Sequence, residues 1–323
     1  MSKRLFWPDF VRVASLFLVV LLHVSAPLLY MYGAVSNFYW SVGNFFDSIS
    51  RMSVNLFFML SGALLISKKE LIHVFYKKRL KRLLFPWLFW GVMLGLVKYF
   101  YTGEFVEYGR YRLFVESFIS GYWFIHYLLI YYLITPFFWM IQKRGRYVLL
   151  LIWSTVMVFS FSGLIQVSSY LGYLGLYVLG GYLRDKDKYT LLGLTMFIIG
   201  TLVVYFGTKK LTINHRVFVS TFYEYLSWNV ILQSIGGFTF FVGFSKFIKS
   251  NVFLKKMVTY LSPRSFGVFL VHFFVLLFFK NFGISAASFH PVLSIPFFTA
   301  VVYLVSLLVV NLFVKNIYLK NFV

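Results

Sequence analysis

The sequence predicts an all-α polytopic membrane protein with about ten transmembrane helices, and three observations carry that prediction. Of its 323 residues 60% are hydrophobic and only 12% charged, with 42 Phe and 24 Tyr, a composition far from that of soluble domains. Its apolar runs are long enough to cross a hydrocarbon core and lack the two-residue alternation of barrel strands, so helices must satisfy the backbone in lipid. The formal charge of +22 sits mainly in the loops between those runs. That placement is the positive-inside pattern and argues against a nucleic-acid partner. The absence of cysteine excludes disulfides, thiolate metal sites and a cysteine acyl-enzyme.

The first span, residues 10–30, follows Lys3 and Arg4 and is too long for a cleaved signal peptide. The second covers 44–67, and a basic loop then leads into the third at 83–101 and the fourth at 119–141. Spans five and six, 147–164 and 167–183, flank Ser162 and Gly163; one long bent helix is the alternative. Charge favours two crossings, because Lys143, Arg144 and Arg146 precede the pair and Arg184, Lys186 and Lys188 follow it. The last four spans are 189–207, 222–247, 265–283 and 291–314. In this arrangement 22 of the 31 Lys and Arg fall inside and 6 outside, while Arg12, Arg51 and Lys98 lie within spans. Both termini are therefore expected in the cytoplasm. The outer loop "KKLTINHR", Lys209 to Arg216, breaks the rule and could face an anionic ligand or be tolerated. Residues 1–323 are expected to form one membrane domain without an appended soluble module.

Within these spans a few side chains can carry chemistry. Eleven positions separate Arg12 from His23, which places them within about 20° of one helix face and about 16.5 Å apart along the axis. Arg12 can be a snorkelling anchor at the inner boundary. His23 lies deep in the outer half, where an ionisable group must face protein or water and suits general base work. Asp47 and Arg51, four apart, either form an intrahelical ion pair or supply a carboxylate that orients His23. Arg79 and Arg82 can serve topology alone, yet two arginines three apart also suit a grip on phosphates. Trp123 and His126 fit an aromatic belt, and His272 a structural hydrogen bond. His73, His215 and His290 show no metal spacing, and no metal site is expected.

Taken together, Arg12 and His23 with ten residues between them, the stretch "SRMSVNLFFMLSG", Arg79 and Arg82 before "FPW", Trp123 with Phe124, and "FGVFLVH" ending at His272 resemble the acyltransferase-3 family of integral membrane acyltransferases. Within that family the chain looks most like the surface-polysaccharide O-acetyltransferases, such as those acting on enterobacterial common antigen. The resemblance runs nearly the whole length. It implies ten helices, a place in the bacterial cytoplasmic membrane, and transfer of an acyl group, acetyl above all, from cytoplasmic acyl-CoA to a sugar hydroxyl of a surface or lipid-linked glycan. Acyl-CoA is then a substrate and no bound cofactor is implied. By position Arg12 and His23 match the family's essential pair, and Arg79 with Arg82 its basic motif. Asn55 departs from it, since many relatives have proline there, which touches the local shape of the second helix.

On this reading Arg12, Arg79 and Arg82 hold the phosphates of acyl-CoA, the pantetheine arm runs along the first helix, and His23 takes the proton from the acceptor hydroxyl. Asp47, Arg51 and Trp123 support the site. The competing class is a transporter or flippase for a lipid-linked glycan, which broken helices in two similar halves would favour. An amine or lipid acceptor also stays open.

Overall fold

The computed structural model describes residues 5–101, 118 and 121–323. The cations Lys3, Arg4, Arg110 and Arg112, the start of the fourth span at 119–120 and the side chain of Lys98 lie outside the described residues.

Twelve α-helices and several 3-10 turns make up the described chain, with no β-strand among the described residues. They are α1 (Trp7–Leu29), α2 (Asn37–Ser50), α3 (Ser53–Leu65), α4 (Ile72–Tyr101), α5 (Trp123–Met140), α6 (Lys143–Phe161), α7 (Ser169–Leu183), α8 (Thr190–His215), α9 (Trp228–Ser250), α10 (Val252–Leu261), α11 (Ser265–Asn281) and α12 (Pro291–Lys315). Among the described residues nine helical stretches, with α2 and α3 taken together as one and α10 and α11 as another, are long and apolar enough to cross a bilayer. The protein is thus an all-α polytopic membrane protein. The tenth predicted span is α7, whose 15 residues rise only about 22 Å.

The Ser162–Gly163 alternative resolves into two helices. Gly163 takes φ +78°, its N–H reaches the Ser160 carbonyl at 3.1 Å, and the Leu164 N–H reaches Phe159 at 3.1 Å. This paired closure ends a helix because glycine has no Cβ to oppose the left-handed conformation. Ser168 then accepts from the Tyr170 N–H and starts α7. The ends of this hairpin meet beside α3: Arg146 donates to the Ile66 carbonyl at 3.4 Å and Arg184 to Ala63 at 3.1 Å. Both basic clusters therefore share one face, as the charge argument requires. Trp139 adds a third cap at Leu65, 2.9 Å away, so the C-terminal carbonyls of α3 are covered by side chains from three other segments.

α1 is the centre of the bundle and packs on α2, α3, α9, α10, α11 and α12. α3 lies against α7 at backbone distance, because Gly62 faces the Tyr177 carbonyl and Gly180 faces the Met59 carbonyl. A Cβ at either position would lie 1.7 or 1.9 Å from that oxygen. At the edge α6 buries only Met157 and is otherwise turned outward, an apolar surface suited to lipid.

Three boundaries differ from expectation. The second span is not one helix but α2 and α3, parted at Arg51 and Met52. Residue 55 thus falls in the first turn of α3, where an amide has no i−4 carbonyl to bond. The break stands beside an asparagine, whose Nδ2 donates to the Tyr225 carbonyl at 2.8 Å and to Ser234 at 3.0 Å. Lys209 to His215 is not a loop, since α8 continues through it for 26 residues, about 39 Å, and lifts those charges past the apolar layer. The basic stretch 246–264 contains α10, a short amphipathic helix with Val252 and Phe253 exposed beside Lys255 and Lys256.

Candidate active site

The site begins at the inner end of α1. Asp9 and Arg12 are three residues apart and share a face, so Arg12 Nη1 meets Asp9 Oδ1 at 3.3 Å. Ser262, in the turn before α11, joins them: its hydroxyl donates to Asp9 Oδ1 at 2.6 Å and receives Arg12 Nη1 at 2.7 Å. Asp9 is buried, whereas 29% of the Arg12 side chain remains accessible. The guanidinium is aimed by this triad rather than left to snorkel.

What it is aimed into is a cavity of about 360 Å³ that Arg79 and Arg82 of α4 also line. Lys68 joins the cationic rim, and Glu70 offers one carboxylate oxygen to both Lys68 (3.5 Å) and Arg79 (3.4 Å). Ser61, Tyr132 and Ser265 supply the remaining polar wall, and Phe57, Phe124 and Phe269 form an apolar wall. The three arginines singled out from sequence, on two helices, thus converge on one space. Charge attraction makes such a rim a place for phosphate-like anions, and the apolar wall suits an uncharged chain.

His23 is not among the residues lining that cavity. It lies beyond the Phe269 side, with its ring 5.3 Å from His272 and 4.7 Å from Phe273, centroid to centroid. α1 and α11 run parallel in register: Arg12 meets Ser262 at one end, and His23 meets His272 at the other. The rise is about 16.5 Å on one helix and about 15 Å on the other. His23 therefore faces protein and stays partly accessible. His272 is fully buried, and its Nδ1 meets the Phe269 carbonyl at 2.5 Å. A carbonyl can only accept, so Nδ1 carries the hydrogen and Nε2 keeps its lone pair. The structural hydrogen bond expected of His272 is this one. Among the described residues its Nε2 has no hydrogen-bond partner.

Asp47 and Arg51 form the ion pair that their spacing allowed, with both Arg51 Nε and Nη2 at 2.5 Å from Asp47 Oδ1. The guanidinium stacks over Tyr223 at 4.1 Å and lies 5.9 Å from the Tyr225 ring. Among the described residues no hydrogen bond joins Asp47 to His23. Trp123 packs on Tyr225 at 5.5 Å and on Tyr173 at 5.5 Å, so it belongs to the aromatic surround of Arg51 rather than to the arginine cavity. His126 reaches the Tyr170 hydroxyl at 3.3 Å, away from both. Among the described residues no His, Asp or Glu cluster could hold a metal ion.

Sequence reasoning passed over Asp9, Ser262, Lys68 and the two tyrosines under Arg51. Only Asp9 had a local signal, its i−3 position to Arg12. The others come from segments joined only by folding.

A helix bundle with a cationic cavity near one face and, further across, a partly accessible histidine against a buried one is a membrane protein built around polar groups. The family model of the acyltransferase-3 domain, described as an acyltransferase domain, matches residues 5–311, so the chain belongs to that family and is a membrane acyltransferase. Neither the curated proteins nor the solved structures provide a match.

Proposed function

We propose that this acyltransferase takes an acyl group, acetyl in the first instance, from cytoplasmic acyl-CoA and transfers it to a hydroxyl of a surface polysaccharide or lipid-linked glycan in the bacterial cytoplasmic membrane. Arg12, Arg79 and Arg82 receive the donor's phosphates, and the apolar wall guides its pantetheine arm inward. His23 acts as general base. The acceptor oxygen attacks the thioester carbonyl while the hydroxyl proton passes to His23; the C–S bond then breaks and the imidazolium returns the proton to the departing thiolate.

One observation carries the reading. Arginines from α1 and α4 line a single cavity, and the helix bearing Arg12 carries His23 further across the bundle, beside the buried His272. Asp47 and Arg51 then serve as a fixed outer wall with Trp123 behind it. Purified protein in detergent, given labelled acetyl-CoA and a glycan acceptor, should transfer label. His23→Ala should abolish transfer while the protein stays folded, and Arg79→Ala with Arg82→Ala should raise KM for the donor more than for the acceptor. A fully active His23→Ala protein ends the base assignment, and equal effects on both substrates reduce the arginines to a topological role.

A further inference from the structure

A second basic hollow of about 670 Å³ adjoins the arginine cavity, between α4 and the C-terminal turn Lys320–Phe322. Its cations are Lys77, Lys78, Lys81 and Arg82 of α4 together with Lys320, His73 stands beside them, and among the described residues no Asp or Glu lines it. Positive-inside topology accounts for cations on this face. It does not account for their meeting. Lys320 is more than 230 residues from the α4 group, and it is brought there because the chain end folds back along α4: Trp90 Nε1 donates to the Phe322 carbonyl at 2.7 Å, and the Phe89 and Phe322 rings lie 4.6 Å apart. Lys77 and Lys81 are one helical turn apart, where like charges repel unless an anion lies between them.

Arg82 lines both hollows. A ligand gripped at Arg82 can therefore extend in two directions, one toward Arg12 and the apolar wall, the other toward Lys77, Lys81 and Lys320. A coenzyme A thioester has that form. Its pyrophosphate joins the pantetheine limb to an adenosine that carries a further 3′-phosphate, so the second anion falls on the side opposite the thioester. Phe85, exposed in this hollow, offers an aromatic face for the purine.

We propose that this hollow binds the 3′-phosphoadenosine end of the donor and makes the enzyme select for the 3′-phosphate. The inference rests on the acyl-CoA reading above and adds the residues that distinguish coenzyme A from its dephospho form. Anionic lipid headgroups share the phosphate chemistry, and the experiment separates them.

The test measures binding of adenosine 3′,5′-bisphosphate and of AMP to the full-length protein in neutral detergent, with and without added phosphatidylglycerol. Charge-assisted hydrogen bonds to the extra phosphate should give the bisphosphate about a tenfold or greater advantage over AMP. The triple variant Lys77→Ala, Lys81→Ala, Lys320→Ala, all three side chains being exposed, should lose that advantage. Equal binding of the two nucleotides by the unaltered protein overturns the proposal, as does an advantage that survives in the variant. So does a variant that loses only phosphatidylglycerol binding, which would make the hollow a lipid site. Transfer from acetyl-CoA without any preference for the bisphosphate sinks this site and leaves the donor reading standing. Bisphosphate preference without transfer from acetyl-CoA does the reverse.

Discussion

Replacing Asp47 by Ala should be among the most damaging single substitutions away from the cavity. Asp47 is fully buried and receives two nitrogens of Arg51 at 2.5 Å, while only 13% of the Arg51 side chain is accessible. Removing the carboxylate leaves a permanent cation in the bundle interior, for which the cost is about 3–5 kcal/mol. Stacking over Tyr223 at 4.1 Å survives the change and offsets about 1 kcal/mol, so a loss of about 3 kcal/mol is expected. Adding Arg51→Met removes the stranded charge and keeps an unbranched side chain in its place. The double variant should recover about 2 kcal/mol relative to Asp47→Ala alone, and because Arg51→Met by itself strands the buried carboxylate, the two single losses should exceed the double loss by more than that. The assay is reversible unfolding in detergent micelles, followed by far-ultraviolet circular dichroism for all four proteins of the cycle. A single Asp47→Ala loss below about 0.5 kcal/mol, or effects that simply add, would mean that Arg51 is solvated and that this is a surface-type pair.

Gly62→Ala and Gly180→Ala should each force α3 and α7 apart, since the new Cβ would lie 1.7 or 1.9 Å from a backbone oxygen; unfolding in micelles should register about 1–3 kcal/mol or more, and a neutral outcome would place the two helices further apart than described. The chain has no cysteine, so single cysteines can map its crossings. Cysteine at Ser67 or Asp185 should react with a membrane-impermeant maleimide only in inverted vesicles, and cysteine at Gly163 only in intact cells; labelling of residues 163 and 185 from the same side would remove the α6–α7 hairpin. Asn55→Pro should keep the helix break, because the amide of residue 55 lies in the first turn of α3, but it forfeits the side-chain bonds to Tyr225 and Ser234 at about 1 kcal/mol each, measured in the same unfolding assay.

The spans were readable because lipid imposes a simple rule: an apolar run of sufficient length becomes a helix. Even the α6–α7 hairpin followed from charge, since Arg146 and Arg184 had to share a face, and they cap the same helix end. Where the rule is silent, reading stopped. The break at Arg51 and Met52 falls in the polar stretch "DSISRMSVN", which holds no proline or glycine to mark it. α10 lies in the interval left between the spans 222–247 and 265–283, because ten residues with exposed Val252 and Phe253 make too short a periodic signal. In the candidate site Arg12 and His23 were legible from an eleven-residue spacing on one helix, and Arg79 with Arg82 from a three-residue one. Ser262 beside Arg12 and His272 beside His23 are separated from them by about 250 residues, and no spacing could have paired them. Their alignment is a product of α1 and α11 running side by side.

The contact between α3 and α7 sets which wall of the arginine cavity can give way. Where two main chains touch without intervening side chains, there is no rotamer to swing aside and no slack to take up, and side chains from α5, α6 and the end of α7 pin the carbonyl end of α3 from outside. The wall bearing Ser61 and Leu64 is therefore an anvil. Room for a bulky guest has to come from the opposite jaw, the exposed helix of Arg79 and Arg82, whose outward movement would widen the mouth without disturbing the Arg12 triad.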